Sequence, residues 1–107
     1  MLLAAAGLLQ GKEATTHWAS LPRLADYGAI PTGRRVVEQG KYVTAAGVSS
    51  GIDMALTLGA RIAGDDFAQC VQLGIEYDPQ PPFDAGSTEK APAHIVELMT
   101  GMYAGRL

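Results

Sequence analysis

The side chains of this chain that could act on a substrate are one thiol and two imidazoles. Cys70 is the only cysteine, and His17 and His94 are the only histidines. No two of them stand at a metal-ligand spacing, so no metal site is expected. Cys70 falls between Phe67 and Val71 on what reads as the apolar stripe of a helix. A thiol buried among apolar groups has a raised pKa and is inert, so a structural role is expected of it. His17 lies in the run Ala14-Thr15-Thr16-His17-Trp18, which reads as the end of a strand. Ligand sites in α/β sheets form at the carboxyl ends of strands, and a His there can orient or protonate a reacting group. A structural hydrogen-bonding role is the plainer alternative. Gly47-Val48-Ser49-Ser50-Gly51 reads as a second strand-to-helix junction. Its backbone N–H groups could hold an anion or a polar substrate, and an ordinary capped junction accounts for the same residues. No G-x-G-x-x-G follows a strand and no G-x-x-x-x-G-K-[ST] occurs, so no cofactor is expected.

The elements that would position these residues follow from pattern and propensity. Met1–Leu9 is apolar all round and reads as a buried helix, with Gly7 and Gly11 bracketing its end. Lys12–Trp18 reads as a strand, with β-favouring Thr15, Thr16 and Trp18. Ser20 is a candidate N-cap for a short helix through Leu21, Leu24 and Ala25, closed by Gly28. Ile30-Pro31-Thr32-Gly33 reads as a turn. The β-rich runs Arg35–Glu38 and Tyr42–Ala46 flank Gln39-Gly40 and suggest a hairpin or two adjacent strands. Ser50 and Asp53 resemble a capping box at the start of a long helix. Its stripe is Ile52, Ala55, Leu56, Gly59 and Ala63, expected to pack on a sheet, and Gly64 ends it. Asp65-Asp66 opens a further helix with negative charge at its N-terminus. Phe67, Cys70, Val71, Gly74 and Ile75 share one of its faces. Asp78–Pro92 is loop-like, and a last helix, Ala93–Met102, carries Ile95, Leu98, Met99 and Met102 on one side. Strands alternating with helices argue for an α/β layered domain. Three short strands are fewer than a parallel sheet covered on both faces normally has.

Bulk composition narrows the function classes. The chain has 107 residues, enough for one small domain, with 48% hydrophobic and 18% charged residues. Eight Lys+Arg against eleven Asp+Glu leave a net charge of -3, so attraction to a phosphate backbone is not expected. Arg34-Arg35 is the only adjacent basic pair and reads as a solvated strand entry. One cysteine rules out an intramolecular disulfide. The apolar opening is far shorter than the ~20 residues of a membrane span, and no basic residue precedes it as in a signal peptide. A cytoplasmic chain with no membrane and no nucleic-acid partner is expected.

Four stretches read together carry a resemblance: Leu2–Leu9 (LLAAAGLL), Gly11–Trp18 (GKEATTHW), Val43–Leu56 (VTAAGVSSGIDMAL) and Leu73–Ser87 (LGIEYDPQPPFDAGS). In this order they resemble the DJ-1/PfpI superfamily, in its isonitrile-hydratase-like, class-I glutamine-amidotransferase-like branch. The resemblance covers essentially the whole chain. It implies a flavodoxin-like α/β three-layer sandwich of roughly twice this length, usually dimeric. Residues 1–107 would then be its C-terminal half. The family's catalytic cysteine sits on a strained strand-to-helix turn. The pattern would place Cys-Thr-Gly just before Met1, and the acidic partner of the cysteine would also lie in the other half. What carries over is His17 as an auxiliary group near the nucleophile, Gly47, Val48 and Ser49 as a pocket-lining loop, and Trp18 at the rim. No catalytic residue is expected within the chain itself.

Two functional classes follow. The chain is either the C-terminal part of a cysteine hydratase, inactive without the other half, or a binding or oligomerisation module that pairs through an exposed sheet edge. In the first case Met1 would be an internal methionine, and the complete domain would act on a small molecule. A regulator fused to a DNA-binding helix is a third class, disfavoured because no basic helix-turn-helix is present.

Overall fold

A computed structural model describes residues 1–104. The last three residues of the expected 1–107 unit lie outside the described residues. The chain runs through α1 (Leu2–Ala5), β1 (Glu13–Ala14), a 3-10 segment (Leu21–Tyr27), β2 (Ile30–Pro31), β3 (Val36–Gln39), β4 (Tyr42–Ala45), α2 (Ser50–Ala63), α3 (Asp65–Gly74) and α4 (Ala93–Ala104). It is an α/β chain with two small sheets, a parallel pair β1–β2 and an antiparallel hairpin β3–β4.

The opening helix is shorter and more exposed than its composition predicts. Gly7 takes φ 81. Its N–H bonds Ala4 O at 3.0 Å, and the Leu8 N–H bonds Leu3 O at 3.1 Å. That pair of bonds is the Schellman closure, which ends a helix where a glycine enters the left-handed region. Only Ala4 and Leu9 of this stretch are buried, while Leu2 is 89% exposed. The same closure ends the 3-10 segment at Gly28, with bonds from Gly28 N–H to Ala25 O and from Ala29 N–H to Leu24 O. Ser20 precedes that segment but makes no side-chain cap bond.

Ile30-Pro31, expected as a turn, is a strand. Glu13 pairs with Ile30 and Ala14 with Pro31. Proline is tolerated because the ladder takes its donors from the neighbours: Ile30 N–H to Lys12 O at 2.8 Å and Thr32 N–H to Ala14 O at 2.9 Å. The strand predicted over Lys12–Trp18 is confined to Glu13–Ala14. On its other side, β1 meets the hairpin through side chains. Glu13 N–H donates to Gln39 Oε1 at 3.1 Å and Thr15 N–H to Thr44 Oγ1 at 3.0 Å. The hairpin itself forms as read, with Val36 opposite Ala45 and Gln39 opposite Tyr42. Its two-residue loop needs φ > 0 at the first position, and Gly40 supplies φ 60. Ala4, Leu9, Ala14, Leu24 and Ala29 form the core of this region.

The helices pack differently from the expectation. The α2 stripe through Ile52, Ala55 and Leu56 does not face a sheet; it lines an open apolar groove with Val71 and Ile75. The side of α2 that meets the hairpin is polar: Asp53 pairs with Arg35, and Arg61 with Glu38 at 2.9 Å. The Ser50–Asp53 capping box does not form. The helix starts at Ser50 with Ser49 as N-cap, which makes no side-chain cap bond, and the Asp53 carboxylate is engaged instead by Arg35 and by Tyr77. Cys70, expected inside, is exposed. The side of α3 that goes inward carries Ala68, the one buried residue of that helix. On α4 the stripe that lines the cleft is Ile95, Met99 and Tyr103, spaced four apart, with Ile95 still 38% exposed against 61% and 56% for Leu98 and Met102. The accessible surface is 7433 Å², against about 5,700 Å² for a compact folded chain of 11.2 kDa.

Candidate functional site

His17 stands three residues beyond β1, at the start of a turn. Its carbonyl accepts from the Ser20 N–H at 2.9 Å, and its ring Nδ1 accepts from the Ala19 N–H at 3.1 Å. With Nδ1 accepting, the neutral imidazole carries its proton on Nε2. Nε2 makes no hydrogen bond among the described residues, so it is the nitrogen free for a ligand.

Three rings meet here. The His17 and Trp18 centroids are 5.5 Å apart. Tyr103, from the end of α4, sits edge-on to both, at 5.4 Å from His17 and 5.7 Å from Trp18. These separations lie in the range of favourable aromatic pairs. The rings form one side of an open cleft of about 200 Å³, whose other walls are Ile95, Val96 and Met99 of α4 and the segment Ala85–Thr88. Sequence reasoning missed Tyr103, which is 86 residues from His17. Four-residue spacing from Ile95 and Met99 was the available signal.

The structure also brings Gly47 to His17. A Cβ on Gly47 would lie 2.9 Å from His17 Cδ2, closer than side-chain atoms pack, so only glycine leaves the imidazole where it is. Val48 and Ser49 stand elsewhere: Val48 is 95% exposed at the mouth of the α2–α3 groove, and Ser49 is exposed at the N-cap of α2. Cys70 does not line the His17 cleft, and His94 is exposed. No group of three or more His, Cys, Asp or Glu that could hold a metal occurs among the described residues.

The loop that carries Gly47 is anchored one turn later. Asp53 accepts from Tyr77 O–H at 2.6 Å and pairs with Arg35. Tyr77 reaches it because α3 ends in a left-handed turn at Glu76, φ 54. The Tyr77 hydrogen bond, and then Arg35, hold the Asp53 carboxyl below its ordinary value. Asp53 in turn raises the Tyr77 phenol and the Arg35 guanidinium. The carboxylate is thus ionised and spoken for, a tie rather than a free acid or base.

The DJ-1/PfpI family model matches residues 1–61, which run from α1 through most of α2. This chain belongs to the DJ-1/PfpI family. It is 54% identical to isonitrile hydratase from Pseudomonas putida over 97 residues, 91% of this chain and 42% of that protein. A THiJ/PfpI family protein from Pseudomonas syringae superposes with a TM-score of 0.94 at 47% identity, covering 97% of this chain and 43% of that one. A mutant of a DJ-1 superfamily protein from Salmonella typhimurium matches at a TM-score of 0.57 and 31% identity, over 73% of this chain and 41% of that one. The chain therefore spans less than half the length of these relatives. No described helix is long and apolar enough to cross a membrane.

Proposed function

We propose that residues 1–107 form the C-terminal part of a DJ-1/PfpI domain and supply the auxiliary and binding side of an isonitrile hydratase-like site. The observation that carries this reading is the cleft at His17: a free Nε2, an apolar wall and a glycine kept clear for the imidazole. Identity of 54% to an isonitrile hydratase supports it.

In the proposed reaction a thiolate adds to the isonitrile carbon, which takes a proton, giving a thioimidate. Water then adds to the same carbon, the thiolate leaves, and the product is an N-substituted formamide. His17 handles the proton or orients the water, with Trp18 at the rim and Gly47 against the imidazole. The thiolate has to come from outside this chain, because its one cysteine, Cys70, is not in the cleft.

The test has two arms. The chain alone, given an alkyl isonitrile, is expected to form no formamide; turnover abolished by Cys70→Ser would overturn that. Grafted in place of the matching stretch of the Pseudomonas putida enzyme, the chain is expected to support turnover. His17→Asn in the graft should lower kcat by about a hundredfold or more, and an unchanged kcat refutes the role of His17.

A second reading rests on the apolar groove between α2 and α3, of about 350 Å³. An open apolar surface of this kind suits self-association. A stable, monodisperse homodimer with no activity in the graft would favour it.

A further inference from the structure

The wall of the cleft contributed by α4 lies outside residues 1–61, the span of the family model. This helix buries no residue fully. Its cleft-lining stripe is Ile95, Met99 and Tyr103, and that stripe meets the rest of the fold at His17 and Trp18. We propose that this stripe selects the apolar arm of the ligand, and that Tyr103 makes the cleft favour a flat aromatic arm over a branched aliphatic one. The inference rests on the reading that the His17 cleft is the ligand site.

Size comes first. A cleft of about 200 Å³ compares with the ~150 Å³ cavity that accepts benzene. The space beside His17 is of the size of one ring. Shape comes next. His17 and Trp18 are inclined by 31°, and Tyr103 stands at 63° to one and 86° to the other. A flat arm inserted into such a corner meets at least one ring edge-to-face or offset, the arrangements aromatic quadrupoles favour. A branched alkyl arm obtains contact area without that directional gain. Met99 adds a flexible, polarisable surface that accommodates either.

Trp18 is the only tryptophan, so its fluorescence reports the cleft without a label. The experiment titrates the chain with N-phenylformamide and with N-tert-butylformamide, a flat and a branched member of the proposed product class. In the unsubstituted chain the phenyl compound is expected to bind about threefold to tenfold more tightly. Tyr103→Phe should keep that ratio. Tyr103→Leu should bring it close to one by weakening the phenyl compound more than the tert-butyl one; because α4 contributes no residue to the core, this variant retains the far-ultraviolet dichroism of the parent. A ratio unchanged in Tyr103→Leu overturns the proposal and leaves the hydratase reading standing. Failure of both probes to perturb Trp18 also overturns it. A ratio that depends on Tyr103 combined with a His17→Asn graft of full activity sinks the hydratase role and upholds the selecting wall.

Discussion

Residues 2–45 and residues 50–104 are about equally apolar to the eye, yet they use that apolarity in opposite ways. The first region buries Ala4, Leu9, Ala14, Leu24, Ala29 and Val37. The second buries Ser50 and Ala68, and leaves Ile62, Leu73 and Phe83 at least 77% exposed. The difference lies in closure. Two Schellman turns and two strand pairings fold the first region back on itself, so its side chains meet. The α2–α3 pair has an apolar side facing the open groove, and its hairpin-facing side is held by ion pairs. A helix pair can cover only one side of itself, and a second layer is what turns an apolar stripe into a core.

The sharpest way to break this contrast is a matched pair of truncations. Leu24 is 1% exposed, so Leu24→Ala leaves a cavity and should cost about 2–5 kcal/mol. Leu73 is 81% exposed, and Leu73→Ala should change stability by less than about 0.5 kcal/mol. Urea unfolding of the two variants measures both. Equal losses would mean that the second region is packed in solution against something that covers α3.

Gly47 joins the two regions, between β4 and α2. In Gly47→Ala the new methyl group displaces the His17 ring, which forfeits its Ala19 bond and its ring contacts. The expected cost is about 1–3 kcal/mol, with a shift in Trp18 emission. An unchanged emission spectrum would show that the imidazole had not moved and that the space beside it is looser than 2.9 Å implies.

How much of this was legible beforehand follows the same division. The hairpin was readable because its signal, β-rich runs around Gln39-Gly40, is local. So were the breaks at Gly28 and Gly64, and so was the α/β class. Ile30-Pro31 was not, because its strand character comes from a partner seventeen residues earlier and Pro31 argues against a sheet. The α2 stripe and Cys70 misled for a related reason. Periodicity identifies a face, but not whether anything lies against it. At the candidate site, His17 is singled out by its place after a β-rich run and Trp18 by the family resemblance; both line the cleft. Gly47 is singled out both as part of the Gly47–Gly51 strand-to-helix junction and by the resemblance, and the structure sets it beside His17, away from Val48 and Ser49. Tyr103 stayed hidden because its four-residue spacing from Ile95 and Met99 marks a helix face, while nothing local says that this face meets His17 and Trp18.

A smaller effect tests the tie between the regions. Asp53 is held below its usual carboxylate value, first by Tyr77 and then by Arg35. A depressed folded value means its contribution is fully present above the unfolded pKa of about 3.9 and disappears as pH falls through the folded value. Asp53→Asn should therefore lose up to about 1 kcal/mol at neutral pH and flatten the stability profile below pH ~4. In Tyr77→Phe, the Asp53 titration followed by carboxyl NMR should move up toward the ordinary value. The phenol works in the other direction: its raised value makes its part present below pH ~10 and lost as pH rises. If Asp53 titrates normally in the parent chain, the two regions are not joined there.

The smallest expected effect separates the face of α3 from its composition. Cys70 sits among apolar neighbours in sequence, and a buried thiol in its place would resist modification and cost stability when replaced. It is exposed instead. Cys70→Ser should shift stability by less than about 0.5 kcal/mol, and a thiol reagent such as dithionitrobenzoate should modify the native chain at the rate of an accessible cysteine. The two measurements constrain each other. Slow modification together with a costly serine substitution would place a cover over α3 in solution, whereas fast modification with no cost leaves that face as open as the groove beside it.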